Sequence, residues 1–193
     1  MNRHKPPRLP TILSCSPLGL QFDILGQVAV THPWRSEDEM RVQSLADWPE
    51  VLPVLAQLHH EEWSGVSPFK TPEQHATKLR ARIGLGLIPA TYVLILHGAV
   101  AGSVSLLNHD DIGGVGPDLS PWLSSLLVIP TQRGHGLGRA LVEHCASQAR
   151  QLGFSALHLW TDTHERFYEH LGWNAIERGK ADGPDAVVMK LSL

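Results

Sequence analysis

The sequence predicts an α/β domain of the α+β kind, built on a mixed sheet. Three observations predict it. Segments with two-residue and with 3.6-residue periodicity mix along the chain without strict alternation, so the sheet is not purely parallel. The segment "HGAV" (97–100) stands between two apolar runs as a hairpin does. The run "PWLSSLLVIP" (121–130) leads directly into a glycine-rich turn and a long amphipathic helix. The chain has 193 residues, 42% of them hydrophobic and 18% charged, which suits one domain with a full core.

Residues 1–39 lack sustained periodicity and are rich in proline, and they read as an N-terminal extension that is poorly structured or dispensable. Pro10 and Pro17 interrupt its apolar part and no small-residue cleavage site is clear, so it is not read as a secretory signal. The domain is expected over 40–193. "MRVQSLADW" begins it as a strand. Val51, Val54, Leu55 and Leu58 have helical spacing, and Pro49 suits the start of that helix. Thr71 can cap a second helix, with Pro72 at its first position and Gly84 and Gly86 at its end. The runs 92–96 and 100–107 form the hairpin, and "DDIGGVGPDLS" is a loop. A strand at 121–130 precedes the glycine stretch. The helix after it carries the stripe Leu137, Leu141, Cys145, Ala149, Leu152 and stops at Gly153. "SALHLWT" is a strand, "HERFYEHLG" a short helix, and "WNAIER" and "AVVMKLSL" are the last two strands.

The formal net charge of −3 and the lack of a basic stripe argue against a nucleic-acid partner. No apolar run reaches bilayer length, so no membrane partner is expected. Cys15 and Cys145 form neither a disulfide framework nor a CxxC pair, which makes a reducing cytoplasm the default. Twelve histidines invite a metal reading, but there is no HExxH and no Cys/His ligand spacing, so no metal is expected.

The chemistry concentrates in "TQRGHGLGRAL" (131–141). Arg139 stands where a dinucleotide fingerprint needs its third glycine, and no Walker lysine is present. The stretch still joins a strand to a helix, so amides from Gly134 to Arg139 can face one anion. The helix dipole and the Arg133 and Arg139 side chains add positive charge, and a pyrophosphate suits such a site. The alternative is a tight turn with no ligand.

Arg133-x-x-Gly136-x-Gly138 resembles the R/Q-x-x-G-x-G/A signature of the GNAT superfamily of acyl-CoA-dependent N-acyltransferases. "LLVIP" before it is similar to the family's splayed strand, and "LHLWT" to the strand after the long helix. "ERFYEHLGW" resembles the family's F-Y-x-x-L-G-F/W element. The element order matches over about residues 40–191. The resemblance implies a GNAT-like fold, a mostly antiparallel mixed sheet with a splayed central strand and flanking helices. It also implies acetyl-CoA as co-substrate and direct transfer of the acetyl group to a small-molecule amine or a peptide N-terminus. Dimers are common in the family, so a homodimer is one expectation.

By this resemblance the pyrophosphate lies on the amides of Arg133, Gly134, His135, Gly136, Leu137, Gly138 and Arg139. The pantetheine arm pairs with the strand edge around Leu126, Leu127 and Val128. The Leu126 amide faces the acyl carbonyl and polarises the thioester. Tyr168 matches the tyrosine that protonates the departing thiolate. Two departures stand out. Thr161 replaces an asparagine that many members place near the cofactor. Trp122 stands where some members carry a glutamate base, and it cannot take a proton. Candidates for the base and the acceptor site are therefore spread over His59, His60, Glu61, Glu62 and Trp63, over His109, Asp110, Asp111 and Asp118, and over Ser124 and Ser125. The run "HHEE" reads more readily as a solvated helix end. Trp63 and Trp122 either line a substrate pocket or fill core. No acyl-enzyme nucleophile is evident, since Cys145 sits on the buried stripe. A non-catalytic acyl-CoA-binding module of the same fold is the alternative function.

Overall fold

The computed structural model describes residues 21–22, 28–29, 40–83, 87–110, 118–180 and 185–193. Nine strands and four helices follow in the order β1 (Gln21–Phe22), β2 (Val28–Ala29), β3 (Arg41–Ser44), α1 (Leu52–Trp63), α2 (Pro72–Arg80), β4 (Ala90–Leu96), β5 (Ala99–Leu107), β6 (Trp122–Val128), α3 (Leu137–Gln151), β7 (Ala156–Thr161), α4 (Glu165–Glu169), β8 (Asn174–Lys180) and β9 (Asp185–Ser192). The expected elements from Met40 onward are all present among these. The described part of the N-terminal segment is the two short strands, which join the sheet where Ala29 faces Ala99. Cys15, Gly84, Gly86 and Asp111 lie outside the described residues.

Local chemistry explains the element ends. Thr71 Oγ1 accepts from the Gln74 amide (3.3 Å) while Gln74 Oε1 accepts from the Thr71 amide (3.2 Å), a reciprocal capping box ahead of Pro72. α3 ends where Gly153 takes φ +85° and the Phe154 amide donates to the Ala149 carbonyl (3.1 Å), closing the last turn. The β4–β5 hairpin turns through His97 and Gly98, both at positive φ, as a two-residue hairpin loop requires.

One sheet runs β3-β4-β5-β6-β7-β9-β8, with β2 and β1 reaching it through β5. Its pairs are antiparallel except β6 with β7, which are parallel and register only at Trp122 opposite His158. Beyond that point β6 and β7 diverge, and this is the splay expected of the central strand. α3 and Tyr168 of α4 cover one face, packing Leu141, Cys145 and Tyr168 with Leu94, Leu106 and Leu159. On the other face α1 and α2 cover Val93, Ile95 and Val100. Trp122, Leu107, Ala186 and Val188 form a smaller cluster further along. No described helix is long and apolar enough to cross a membrane.

Candidate active site at the splayed strand

β6 carries a bulge. Ser103 faces Leu127 and Ser105 faces Ser124, so β6 spends one residue more than β5 over this stretch. Ser125 takes the extra place at φ +52°, a left-handed conformation uncommon for a residue with a Cβ. The consequence can be followed along the strand. Leu123, Leu126 and Val128 pack on the α3 side. Ser124 and Ser125 both belong to the opposite side, their hydroxyls 3.3 Å apart. The Ile129 amide donates to the Ala101 carbonyl (3.0 Å), toward β5. By strand alternation Leu127 shares that direction, and the peptide groups of Leu126 and Val128 face the open edge left by β7.

The turn next to this edge is built to offer amides. Gly134 and Gly136 have φ near +80° with nothing within 4 Å of the place a Cβ would take. Gly136 caps α3 in the left-handed conformation. The first amide at the helix start with a backbone partner is that of Ala140, on the Gly136 carbonyl (3.1 Å). Among the described residues, the amides from Gly134 to Arg139 have no backbone acceptor, so they can donate to an oxyanion. Gly138 works differently. A Cβ there would meet Phe167 Cζ at 3.4 Å and Val128 Cγ2 at 3.8 Å. A Cβ would make ordinary contacts there, so Gly138 is the place where strand end, loop and α4 meet. Leu137 is buried and His135 is exposed, with Nδ1 3.3 Å from the Gln132 carbonyl oxygen.

The two arginines are partly committed elsewhere. Arg133 donates through Nε to the Val128 carbonyl (2.9 Å) and through Nη2 to both Glu62 oxygens (2.8 and 2.7 Å). Arg139 donates to Glu143 one helical turn on (2.7 Å). Glu62 therefore tethers the end of α1 to the amide-lined turn.

Tyr168 is buried beside this turn, its ring 4.9 Å from Phe167 and 5.9 Å from Trp173. Burial, and secondarily Cys145, pushes its phenol above the ordinary tyrosine range, so it is protonated at neutral pH. Thr161 does not reach outward. Its Oγ1 accepts from the His164 amide (3.0 Å) and holds the start of α4.

The opposite face of β5 and β6 has a polar floor. Arg82 Nη1 donates to Ser105 Oγ (3.0 Å) and Ser125 Oγ (3.1 Å), and the Thr91 and Ser105 hydroxyls are 2.9 Å apart. His59 is buried, not solvated, with Nε2 2.9 Å from Ser103 Oγ and Trp63 edge-on at 4.8 Å. Burial above all, then Arg82, His75 and Lys78, pushes His59 down to about 3, so it stays a neutral imidazole. Burial raises the Asp110 carboxyl, against the pull of Ser124, Arg82, Lys78 and Trp160. Asp110 thus sits where β6 and β7 begin to part. His109 is exposed. Trp122 is 1% exposed, with its indole N–H on the Leu119 carbonyl (2.6 Å), and it takes the core role of its two expected alternatives. Arg82 escaped the sequence reading, because "KLRAR" at a helix end looks like ordinary dipole-complementing charge.

A sheet splayed beside a helix-initiating turn with free amides is the architecture the sequence resemblance implied. Residues 52–173 match the acetyltransferase (GNAT) family, and the chain belongs to it. Solved structures share the fold. One is yncA from Salmonella typhimurium, solved with its cofactor acetyl-CoA, at 18% identity over 81% of this chain and 95% of that one, TM-score 0.62. Another is the ribosomal-protein-S18-alanine N-acetyltransferase of Escherichia coli, at 24% identity over 80% and 94%, TM-score 0.56. A third is an aminoglycoside 6'-N-acetyltransferase complexed with coenzyme A, at 14% identity over 79% and 96%, TM-score 0.62.

Proposed function

We propose that this protein is an N-acetyltransferase that moves the acetyl group of acetyl-CoA directly to a primary amine. The observation that carries the reading is the open edge of β6. There, by strand alternation, the Leu126 peptide group and the Val128 amide face away from β5 beside the free amides of the turn, while the Val128 carbonyl accepts from Arg133 Nε. The residues present fit the co-substrate. Gly134 and Gly136 leave open space over amides that lack acceptors, as a pyrophosphate needs. The β6 edge offers a strand-like partner to the amide-bearing arm. When bound, acetyl-CoA supplies the activated acyl group as a thioester.

This chain's residues then do the following. The Leu126 amide donates to the acyl oxygen and stabilises the negative charge that develops there. The neutral acceptor nitrogen forms its bond to the acyl carbon, and the carbon–sulfur bond breaks. Tyr168, held protonated by burial, donates to the departing sulfur as general acid. The proton the nitrogen then sheds restores the Tyr168 phenol. The amine must lose its ammonium proton beforehand. Asp110, raised by burial and set at the splay, is the carboxylate best placed to take or relay it.

The test is a coenzyme A release assay over a panel of amines, with acetyl-CoA binding measured alongside. Release with an amine, lost in Tyr168→Phe while acetyl-CoA affinity is kept, is the expected result. Acetyl-CoA binding without release from any amine would overturn catalysis and favour a binding module.

A further inference from the structure

The polar floor carries more positive than negative charge among the described residues. Arg82 is 7% exposed and lies just past α2. Only its Nη1 is hydrogen-bonded there, and both partners are uncharged serines. Lys78, one turn earlier, is partly buried with its ammonium 5.0 Å from the centre of the Phe69 ring. Among the described residues Asp110 is the one carboxylate that acts on either cation, and none forms an ion pair with them. His59 and His75 complete the layer as imidazoles that burial keeps from charging. Among the described residues, a buried guanidinium and a partly buried ammonium thus share one carboxylate, an arrangement that further negative charge would improve. The Nε–Nη2 edge of Arg82 is the fork that pairs two-pronged with a carboxylate.

The position of this edge limits what can use it. Arg82 holds Ser125, and Ser125 immediately precedes Leu126, whose amide faces the thioester in the reading above. A group bound by Arg82 is therefore close to the reacting carbon. We infer that the acceptor is an amine bearing a carboxylate a few bonds away, an amino acid in its simplest form, with the carboxylate on Arg82 and the amine toward Asp110 and Leu126. Lys78 adds longer-range attraction. This rests on the acetyl-transfer reading and specifies its acceptor.

The test compares each free amino acid with its carboxamide in coenzyme A release by the full chain. The amides carry the less basic amines, so intrinsic reactivity favours them and a preference for the acid must come from the site. At least a tenfold higher kcat/KM for the acid is expected for the acids that are used. Arg82→Gln should erase it and Lys78→Gln reduce it. If Arg82→Gln does not fold, Arg82→Lys, which keeps the charge without the fork, should still lose most of the preference. Turnover of amides as well as or better than acids overturns the inference and leaves acetyl transfer standing. If nothing is turned over, N-acetyl amino acids and their amides are compared as stabilisers of the coenzyme A-saturated protein. A rise in Tm with the acids alone, abolished at Arg82, keeps the carboxylate site while acetyl transfer falls. No rise overturns the site.

Discussion

Gly102 links the core of the sheet to the splayed strand, and replacing it with alanine should disturb both. A Cβ at Gly102 would lie 2.4 Å from the Leu127 carbonyl oxygen and 3.1 Å from Leu141 Cδ1. Carbon–oxygen contacts of this kind settle at about 3.3–3.6 Å, so β5 and β6 must separate by about 1 Å. The nearest atom belongs to backbone in a paired strand, so no rotamer change relieves it. Overpacking of this sort costs about 1–3 kcal/mol. For a chain of this length that is a fall in Tm of about 3–10 °C. The displaced strand is the one whose far edge offers Leu126 and Val128, so acetyl-CoA affinity should fall about tenfold alongside stability, a ~1.4 kcal/mol effect. Gly65→Ala is the control, because a Cβ there meets nothing within 4 Å. Thermal unfolding and calorimetric titration of acetyl-CoA measure the two effects. A Gly102→Ala protein with the Tm and affinity of the parent would refute the claim that this contact sets the position of β6.

Other perturbations address single parts of the site. Tyr168→Phe should lower turnover by about 10²–10⁴-fold with acetyl-CoA affinity retained, and an unchanged turnover number would remove it as general acid. Glu62→Gln removes a negative charge from the anion-binding turn and frees Arg133. Because the pair is half-exposed, stability should change by less than about 1 kcal/mol. Acetyl-CoA should bind a few-fold more tightly at low salt, and weaker binding would instead make Glu62 a positioning residue for the turn. His59 is held near 3 against an ordinary 6.5. As pH falls below 6.5 the unfolded chain therefore takes up a proton that the folded chain refuses. Stability from this group is whole above 6.5 and declines by about 1.4 kcal/mol per pH unit toward 3. Arg82, His75 and Lys78 face it and sharpen the effect. His59→Gln should flatten the Tm profile between about pH 6 and pH 4, and a profile parallel to the parent's would count against the assignment.

What was legible in the sequence is what short-range chemistry decides. Thr71 with Gln74, and Gly153 after a helical stripe, act within a few residues of themselves, so their helix ends follow from local pattern. The turn at Gly134–Gly138 is legible for the same reason, down to which amides stay free. The polar floor was not, because it depends on which faces of α1 and α2 meet β5. His59 continues the buried series Leu52, Leu55, Ala56 at helical spacing. That signal was present, but three polar neighbours in "HHEE" masked it. Arg82 gave no such signal: its burial follows from Ser105 and Ser125, which are distant in sequence and small enough to admit a guanidinium. Gly138 was legible as part of the glycine turn, but its neighbour Phe167 comes from an element that only the tertiary fold brings near.

The bulge at Ser125 explains how one strand can serve two substrates. A regular strand alternates, so Ser124 and Ser125 would face opposite sides and Arg82 could hold only one of them near the floor. The extra residue puts both hydroxyls on the Arg82 side and resets the alternation after them. Leu126 and Val128 then return their side chains to the α3 core, while their peptide groups face the open edge. On the proposed reading, acceptor chemistry and donor chemistry are thereby separated by one peptide bond, across the thickness of a single strand. Serine has no strong preference for φ +52°, so the conformation depends on what surrounds it, and Arg82 Nη1 on Ser125 Oγ is the contact in place to hold it. Ser125→Gly should then be tolerated structurally, since glycine adopts this φ without a Cβ penalty. Ser125→Val should not, because a β-branched residue resists a left-handed φ and cannot accept from Arg82.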